Sequence, residues 1–319
     1  MNKTSRDLLN EVYKSIIITG TFGQSILSEE QAPAFIKTIQ EKADLLADMR
    51  FQVMTKQVQN IDRIEFGGRV LTVKSGGLNP STDGATPTTY TNQLVAQFIK
   101  GIFSIADTAL RRNIEREEII NTLQTLFAAR AALDLEDLIM FGDKTNLSSD
   151  PLLSLTDGLV VKSANKLANT EFNIAEDIES LFEALINAIP PKYIGDRSQW
   201  VFYVPFEIEQ AYRKVLKARG TNLGDTVQTS GIQLAYEGFP VKHCSVLNRY
   251  IPTTNGGTGR IVMLQKPNNM VWGVFHEITM EEEREAKQFR TDFVYGLEAD
   301  TNYEDENASA IAFLDKNTI

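Results

Sequence analysis

One cysteine, Cys244, and two histidines, His243 and His276, are all that this chain of 319 residues offers of the side chains best suited to zinc or thiol chemistry. A lone thiol excludes an internal disulfide framework, and two imidazoles leave the common zinc quartets short of ligands. Neighbours on a strand point to opposite faces, so Cys244 beside His243 does not read as a catalytic pair. No apolar run approaches the ~18 residues that a membrane-spanning helix needs. The opening MNKTSRDLLNEVYK is no secretory signal, because its only greasy run, residues 16–18, is too short; folding in a cytoplasm is expected. Positive charge is scarce as well. With 32 Lys and Arg against 42 Asp and Glu the net charge is −10, which argues against gripping nucleic acid through counterion release. A Walker loop, a GxGxxG turn opening a helix and a GxSxG elbow are also missing. The expectation is a chain with no catalytic, cofactor-binding or metal-binding residues.

What is present is led by residues 113–142, NIEREEIINTLQTLFAARAALDLEDLIMFG, with no Gly or Pro before the last position. Ile120, Leu123, Phe127, Ala131, Leu135 and Leu138 keep the spacing of one helical face. Asn113 can cap the first turn, and Glu115, Glu117 and Glu118 suit the positive end of the helix dipole. Gly142 is read as a left-handed stop. At ~1.5 Å per residue the predicted rod is roughly 40 Å long.

Before the rod, residues 1–28 read as an arm, followed by a helix that starts near Ser28 or Ala32 and runs to about Asp48. FQVMTKQVQ, DRIEFGGRVLTVK and TYTNQLVAQFIKGIFSIA carry strand-type residues. Between them, residues 75–89 (SGGLNPSTDGATPTT) are too polar and too rich in Gly and Pro to bury much, so residues 51–106 are predicted to form a long projecting hairpin. After the rod, 159–161 is the expected strand core of a polar stretch. A helix is predicted over 174–189, with Ile178, Leu181, Phe182 and Leu185 on its buried face and a stop at Pro190-Pro191. WVFYV (200–204) reads as a buried central strand, and Pro205 opens a helix to about Lys217. From Arg260 the chain turns to strands, with a turn at Pro267-Asn268-Asn269. The acidic run 281–283 with Glu285 could form an acid/base site of a soluble α/β enzyme. Strand alternation splits it between two faces, and Arg284 and Lys287 offset its charge.

In this order the parts resemble the major capsid proteins of tailed bacteriophages, an α+β class with the Hong Kong 97-like fold. LSEEQAPAFIKTI (27–39) is similar to the helix after the capsid arm, 61–91 to the extended loop, and 114–141 to the spine helix. Tyr212-Arg213, Leu216, Arg219, Thr221 and Leu223-Gly224-Asp225, then Tyr236, Gly238 and Pro240-Val241, resemble the axial-domain signature of one capsid subgroup. MLQKPNNMVWGVF (263–275) resembles its returning peripheral hairpin.

The resemblance implies an N-terminal arm and helix (1–50), an extended loop (51–106), a peripheral domain with the spine helix (107–172), an axial α/β domain (173–250) and returning peripheral strands (251–319). It implies a structural, non-enzymatic protein whose copies form hexamers and pentamers of an icosahedral virion shell, assembled in the host cytoplasm. That shell would enclose double-stranded DNA without sequence-specific binding and without a membrane. Inter-subunit contacts are expected at Arg63, Glu65, Arg69, Lys74, Arg213, Arg219, Asp225, Glu282 and Arg284. The chain starts at the arm, so a separate scaffolding protein is expected, together with a portal and, in some shells, a decoration protein. Lys74 lies on the loop, but nothing marks the asparagine partner of a covalent crosslink. An encapsulin-type nanocompartment shares the fold and is the nearest rival.

Overall fold

The computed structural model describes residues 43–66, 71, 86–106, 116–147, 149–168, 178–218, 234–248, 260–285 and 287–314, without the side chains of 116–122, 276–280 and 282. Most of the arm and of its helix, the hairpin tip, the cap at Asn113 and the signature residues from Arg219 to Asp225 lie outside the described residues. Only the end of the arm helix is included, as α1 (Asp44–Asp48).

The rod forms as α2, Arg116–Phe141. Its burial changes along its length. Leu123 and Phe127 pack on the core from a half-exposed face, whereas Leu135, Glu136 and 138–141 are buried on every side. Ala128 and Ala132 are buried, and Ala131 of the predicted stripe is only half so. Gly142 corrects the expectation of a left-handed stop, because its φ is not in the positive range. Its role is steric. A Cβ there would meet Thr156 O at 2.2 Å and Leu138 O at 2.7 Å, and Gly158 N donates to Gly142 O at 2.8 Å as the chain packs back.

Two sheets flank this rod. The first has four strands in the order β1-β10-β11-β4: β1 (Arg50–Val53), β4 (Gln97–Ala106), β10 (Met270–Glu285) and β11 (Arg290–Tyr303). β1 runs parallel to β10, and β11 runs antiparallel to both β10 and β4. Aromatic rings hold α2 to its inner face: Phe127 stacks on Tyr295 (4.5 Å between centroids) and meets Phe103 at 5.3 Å, and Phe103 in turn stacks on its cross-strand neighbour Phe293 (4.8 Å).

The second sheet has the order β5-β12-β9-β6-β8-β7, from β5 (Asn165–Leu167), β6 (Val201–Val204), β7 (Leu234–Tyr236), β8 (Phe239–His243), β9 (Ile261–Gln265) and β12 (Ser309–Phe313). Helices α4 (Ile178–Ala188) and α5 (Phe206–Ala218) cover one face. Strand alternation then sorts the side chains. Phe202, Val204, Val262, Leu264, Ala310 and Ala312 pack under these helices, while Tyr203, Ile261, Met263, Ile311 and Phe313 join the core around α2. Both faces are covered, which is why these strands are continuously apolar. Strands β9 and β12, from the stretch read as peripheral return, thus pair in one six-stranded sheet with β6, β7 and β8.

One short element reverses its expected type. Residues 159–161 belong to a helix, α3 (Leu159–Lys162), and the strand falls just after it at β5. Tertiary packing overrides the β-branched pair: Leu159 and Val160 are buried, and Lys162 Nζ reaches Thr301 O at 2.5 Å and Asp300 Oδ1 at 3.4 Å.

Candidate inter-subunit surfaces

The hairpin itself consists of β2 (Val58–Phe66) and β3 (Pro87–Val95), paired antiparallel from Val58↔Val95 to Phe66↔Pro87. It is narrower than 51–106, because β1 and β4 belong to the four-stranded sheet. Its base has a home in its own subunit. Ile61, Leu94 and Ala96 are buried with Met54 and Val271. Asp300, itself buried, accepts Val95 N at 2.8 Å through Oδ2 and Thr156 Oγ1 at 2.8 Å through Oδ1. Asn302 Nδ2 donates to Gln93 O at 2.7 Å, and Asn92 Nδ2 to Tyr303 O at 2.9 Å. Burial pushes the Lys162 ammonium pKa down, against the opposing pull of Asp300.

Further out, charge replaces packing. Arg63 pairs with the carboxylate of Asp305, which is buried, and its guanidinium lies 4.8 Å from the Tyr90 ring centre. Glu65 takes Lys192 Nζ at 3.3 Å. The apolar side chains at this end face water: Ile64, between the two pairs, is 67% exposed, Phe66 is 52% exposed, and Leu71 is 90% exposed.

Arg63 and Glu65 therefore come together, but with partners in the same subunit. Arg213 also has an internal partner, Glu209 one turn away on α5, at 2.6 and 3.0 Å. Glu282 stands opposite Phe293 and Arg284 opposite Thr291 on the β10–β11 ladder, and Arg284 is exposed. The side chain of Glu282, and Arg69, Lys74, Arg219 and Asp225 entirely, lie outside the described residues. Sequence reasoning named neither Asp305 nor Lys192 as a contact of the hairpin. Lys192 follows a double proline and Asp305 sits in a turn between β11 and β12, so nothing local marks either as the hairpin's counter-charge.

The chemistry weighed from sequence finds the following surroundings. Cys244 is buried, and burial, with Glu136 as a lesser influence, pushes its thiol pKa well up. His243 meets Phe206 edge-on at 6.0 Å and Asn248 Nδ2 at 3.2 Å. In the acidic run, Glu281 and Glu283 are exposed, and Glu285 lies 3.8 Å from Arg290. Among the described residues no group of three or more His, Cys, Asp or Glu side chains is placed to hold a metal ion.

No family model matches the chain. It is 28% identical over 288 residues to YqbE of Bacillus subtilis (strain 168), whose name assigns it to a prophage capsid; the match covers 89% of this chain and 91% of that protein. Among solved structures, the satellite phage P4 procapsid that includes the size determination protein matches with a TM-score of 0.63. Identity there is 16%, over 99% of this chain and 98% of that one. The holo-SrpI encapsulin of Synechococcus elongatus PCC 7942 matches at 0.56 and 11% identity, over 96% and 95%. A helix of 26 residues packed on both a four-stranded and a six-stranded sheet, a hairpin standing off the body, and likeness to shell proteins over almost the entire length lead to one architecture: this chain has the α+β Hong Kong 97-like capsid fold.

Proposed function

We propose that this chain is the major capsid protein of a tailed bacteriophage, whose copies assemble into hexamers and pentamers of an icosahedral shell around double-stranded DNA. The observation that carries the reading is the outer end of the hairpin. Ile64, between the two ion pairs to the body, and Phe66, beyond the outer one, stand in water, on a two-stranded ribbon that is marginal by itself. A neighbouring subunit that covers this end removes both liabilities. The contact joins unlike surfaces, so it repeats head to tail and closes into a ring when the rotation fits. A net charge of −10 suits a container that packs and releases DNA without holding it. Scaffolding, portal and decoration proteins are the partners such a shell would recruit, with assembly in the host cytoplasm. The role is structural, and no reaction is assigned to the chain.

The phage reading is favoured over an encapsulin by the likeness to YqbE, at 28% identity over 288 residues, against 11% for the SrpI encapsulin. Sedimentation and negative-stain microscopy of the expressed chain, with and without the products of its neighbouring genes, test the reading. Capsomers or megadalton particles are expected; a small soluble oligomer under every condition overturns it. Deleting residues 75–89 should leave a folded subunit that forms no shells, and normal particles from that deletion would remove the lap-joint role.

A further inference from the structure

β10 and β11 run together away from the hairpin base and meet in a short turn in which Gln288 N donates to Glu285 O at 3.2 Å. Phe289 follows with a φ of 50°. Turns of this form place Gly or Asn at the left-handed position, and a bulky aromatic is strained there. Phe289 is also 64% exposed. The contrast with Glu237, at a φ of 47°, is instructive. Glu237 is polar, and its carbonyl accepts Arg197 Nη1 at 2.8 Å, so its conformation is supported within the chain. Phe289 combines a disfavoured backbone with a wetted ring, and both penalise the isolated subunit.

A complement lies elsewhere on the subunit. Between β4, β11 and α2 there is an open cleft of about 230 Å³, walled by Gly101, Phe127, Ala131, Leu135, Tyr295 and Leu297. Apolar cavities of ~150 Å³ hold a benzene ring. Gly101 keeps the floor flat, since a Cβ there would stand 2.6 Å from Phe127 Cζ. The rim carries Lys100 and the pair Arg130–Asp134, 2.9 Å apart, and the turn exposes Lys287 beside Phe289, with Glu283 exposed on the end of β10, so each side presents both signs of charge around its apolar part. The turn cannot reach its own cleft: Gly296 lies at the cleft and Arg290 at the turn end of the same strand, ~20 Å apart at strand rise.

We propose that Phe289 of one copy inserts into the cleft beneath the spine helix of a second copy. This rests on the shell reading only in requiring that copies of the chain meet. The contact is again between unlike surfaces, and it is separate from the one made by the β2–β3 hairpin.

Two experiments on the full chain test it. Phe289→Asn and Phe289→Gly relieve the backbone, so the melting temperature of unassembled subunits should rise by roughly 2–4 °C, while the subunit concentration needed for assembly rises at least tenfold. Variants that assemble like the wild type overturn the proposal, whatever their melting temperature. Second, subunits bearing Phe289→Cys are mixed with subunits bearing Ala131→Cys, both in a Cys244→Ala background, and oxidised after assembly. A disulfide-linked dimer that requires both partners is expected; particles that form without it overturn the proposal and leave the shell reading intact. Wild-type chains that never associate overturn both.

Discussion

In the six-stranded sheet, β9 and β12 each bury all five of their residues, whereas β2 of the hairpin buries only Ile61 among nine. Both regions are antiparallel ribbons of comparable propensity, yet one is held by two apolar layers and the other by pegs at its base. Packing on both faces makes a strand independent of its surroundings. A ribbon fixed only at its root keeps its far end available and takes its final support from whatever it meets. The six-stranded sheet is therefore expected to be stable without neighbours, and the hairpin to be positioned by its subunit and completed by another.

The sharpest way to break this contrast is to place one charge in each region. Leu264→Asp puts an unpaired carboxylate under α4 and α5, where Leu264 is fully buried. The cost is about 3–5 kcal/mol or more, enough to prevent folding of a marginally stable domain, and no soluble subunit should accumulate. Ile64→Asp, on the exposed end of the hairpin, should leave subunit yield and urea midpoint unchanged while abolishing shells. Equal effects from the two substitutions would dissolve the distinction.

The next effect in size comes from the hinge. Asp305→Ala removes the carboxylate that pairs with Arg63 and also the acceptor of Asn307 N at 3.1 Å. Stability should fall by about 2–4 kcal/mol, less than for a fully buried pair because Arg63 keeps 19% of its side chain in water. Urea unfolding of unassembled subunits measures the loss, and amide exchange should localise it to β2 and β3. A loss confined to the β11–β12 turn would mean that Arg63 does not hold the hairpin.

Much of this architecture was legible in the sequence, and the lapses share a cause. WVFYV gave β6 because a strand covered on both faces has no reason to alternate. Ile178, Leu181, Phe182 and Leu185 gave the face of α4 because a surface helix must bury one stripe. The Leu159–Val161 reading failed because its outcome rests on Lys162 meeting Asp300 and Thr301, more than a hundred residues away. Gly142 was assigned the wrong reason, since close approach of Thr156 is invisible from local pattern. The division between hairpin and long sheet was missed because Ala96, at 0% exposure between β3 and β4, looks no different in sequence from its strand neighbours. Of the contact candidates, Arg63, Glu65 and Arg213 were recognisable as charges on the right elements, but charge alone does not reveal that the subunit itself supplies the counter-ion.

Alkaline pH offers a third and smaller discriminator. Burial raises the pKa of Cys244, of Tyr203 (aided by Asp48) and of Tyr303, and it pushes Tyr295 up to about 12. All four lie in the body, not on β2 or β3. A group whose folded pKa is raised contributes stability that is complete below its unfolded value and is lost as pH climbs toward the folded one. Cys244 leads, with an unfolded value of ~8.5, so body stability should decline by about 1.4 kcal/mol per pH unit above that point until the tyrosines add to the slope near pH ~10. In Cys244→Ala the first decline should disappear, and an unchanged curve would show that the thiol ionises in place.

The smallest effect is the most specific to the hairpin. Lys192 and Glu65 meet at 3.3 Å with side chains 55% and 36% exposed, so water and salt screen most of their attraction. Lys192→Ala should therefore leave global unfolding where it was, because the axial core does not depend on the pair. Its consequence belongs to angle: with one tether gone, Arg63–Asp305 is the outer ion pair that remains above the hydrogen-bonded base, and exchange should quicken at Glu65 and Phe66 but not at Ile61. The difference should vanish near ~1 M salt, where the screening length falls to ~3 Å, whereas that of Asp305→Ala should persist because its partner is sheltered. If both substitutions respond to salt alike, the hairpin is held by one undivided electrostatic contact, and the gradient from packed root to free end inferred from burial is absent.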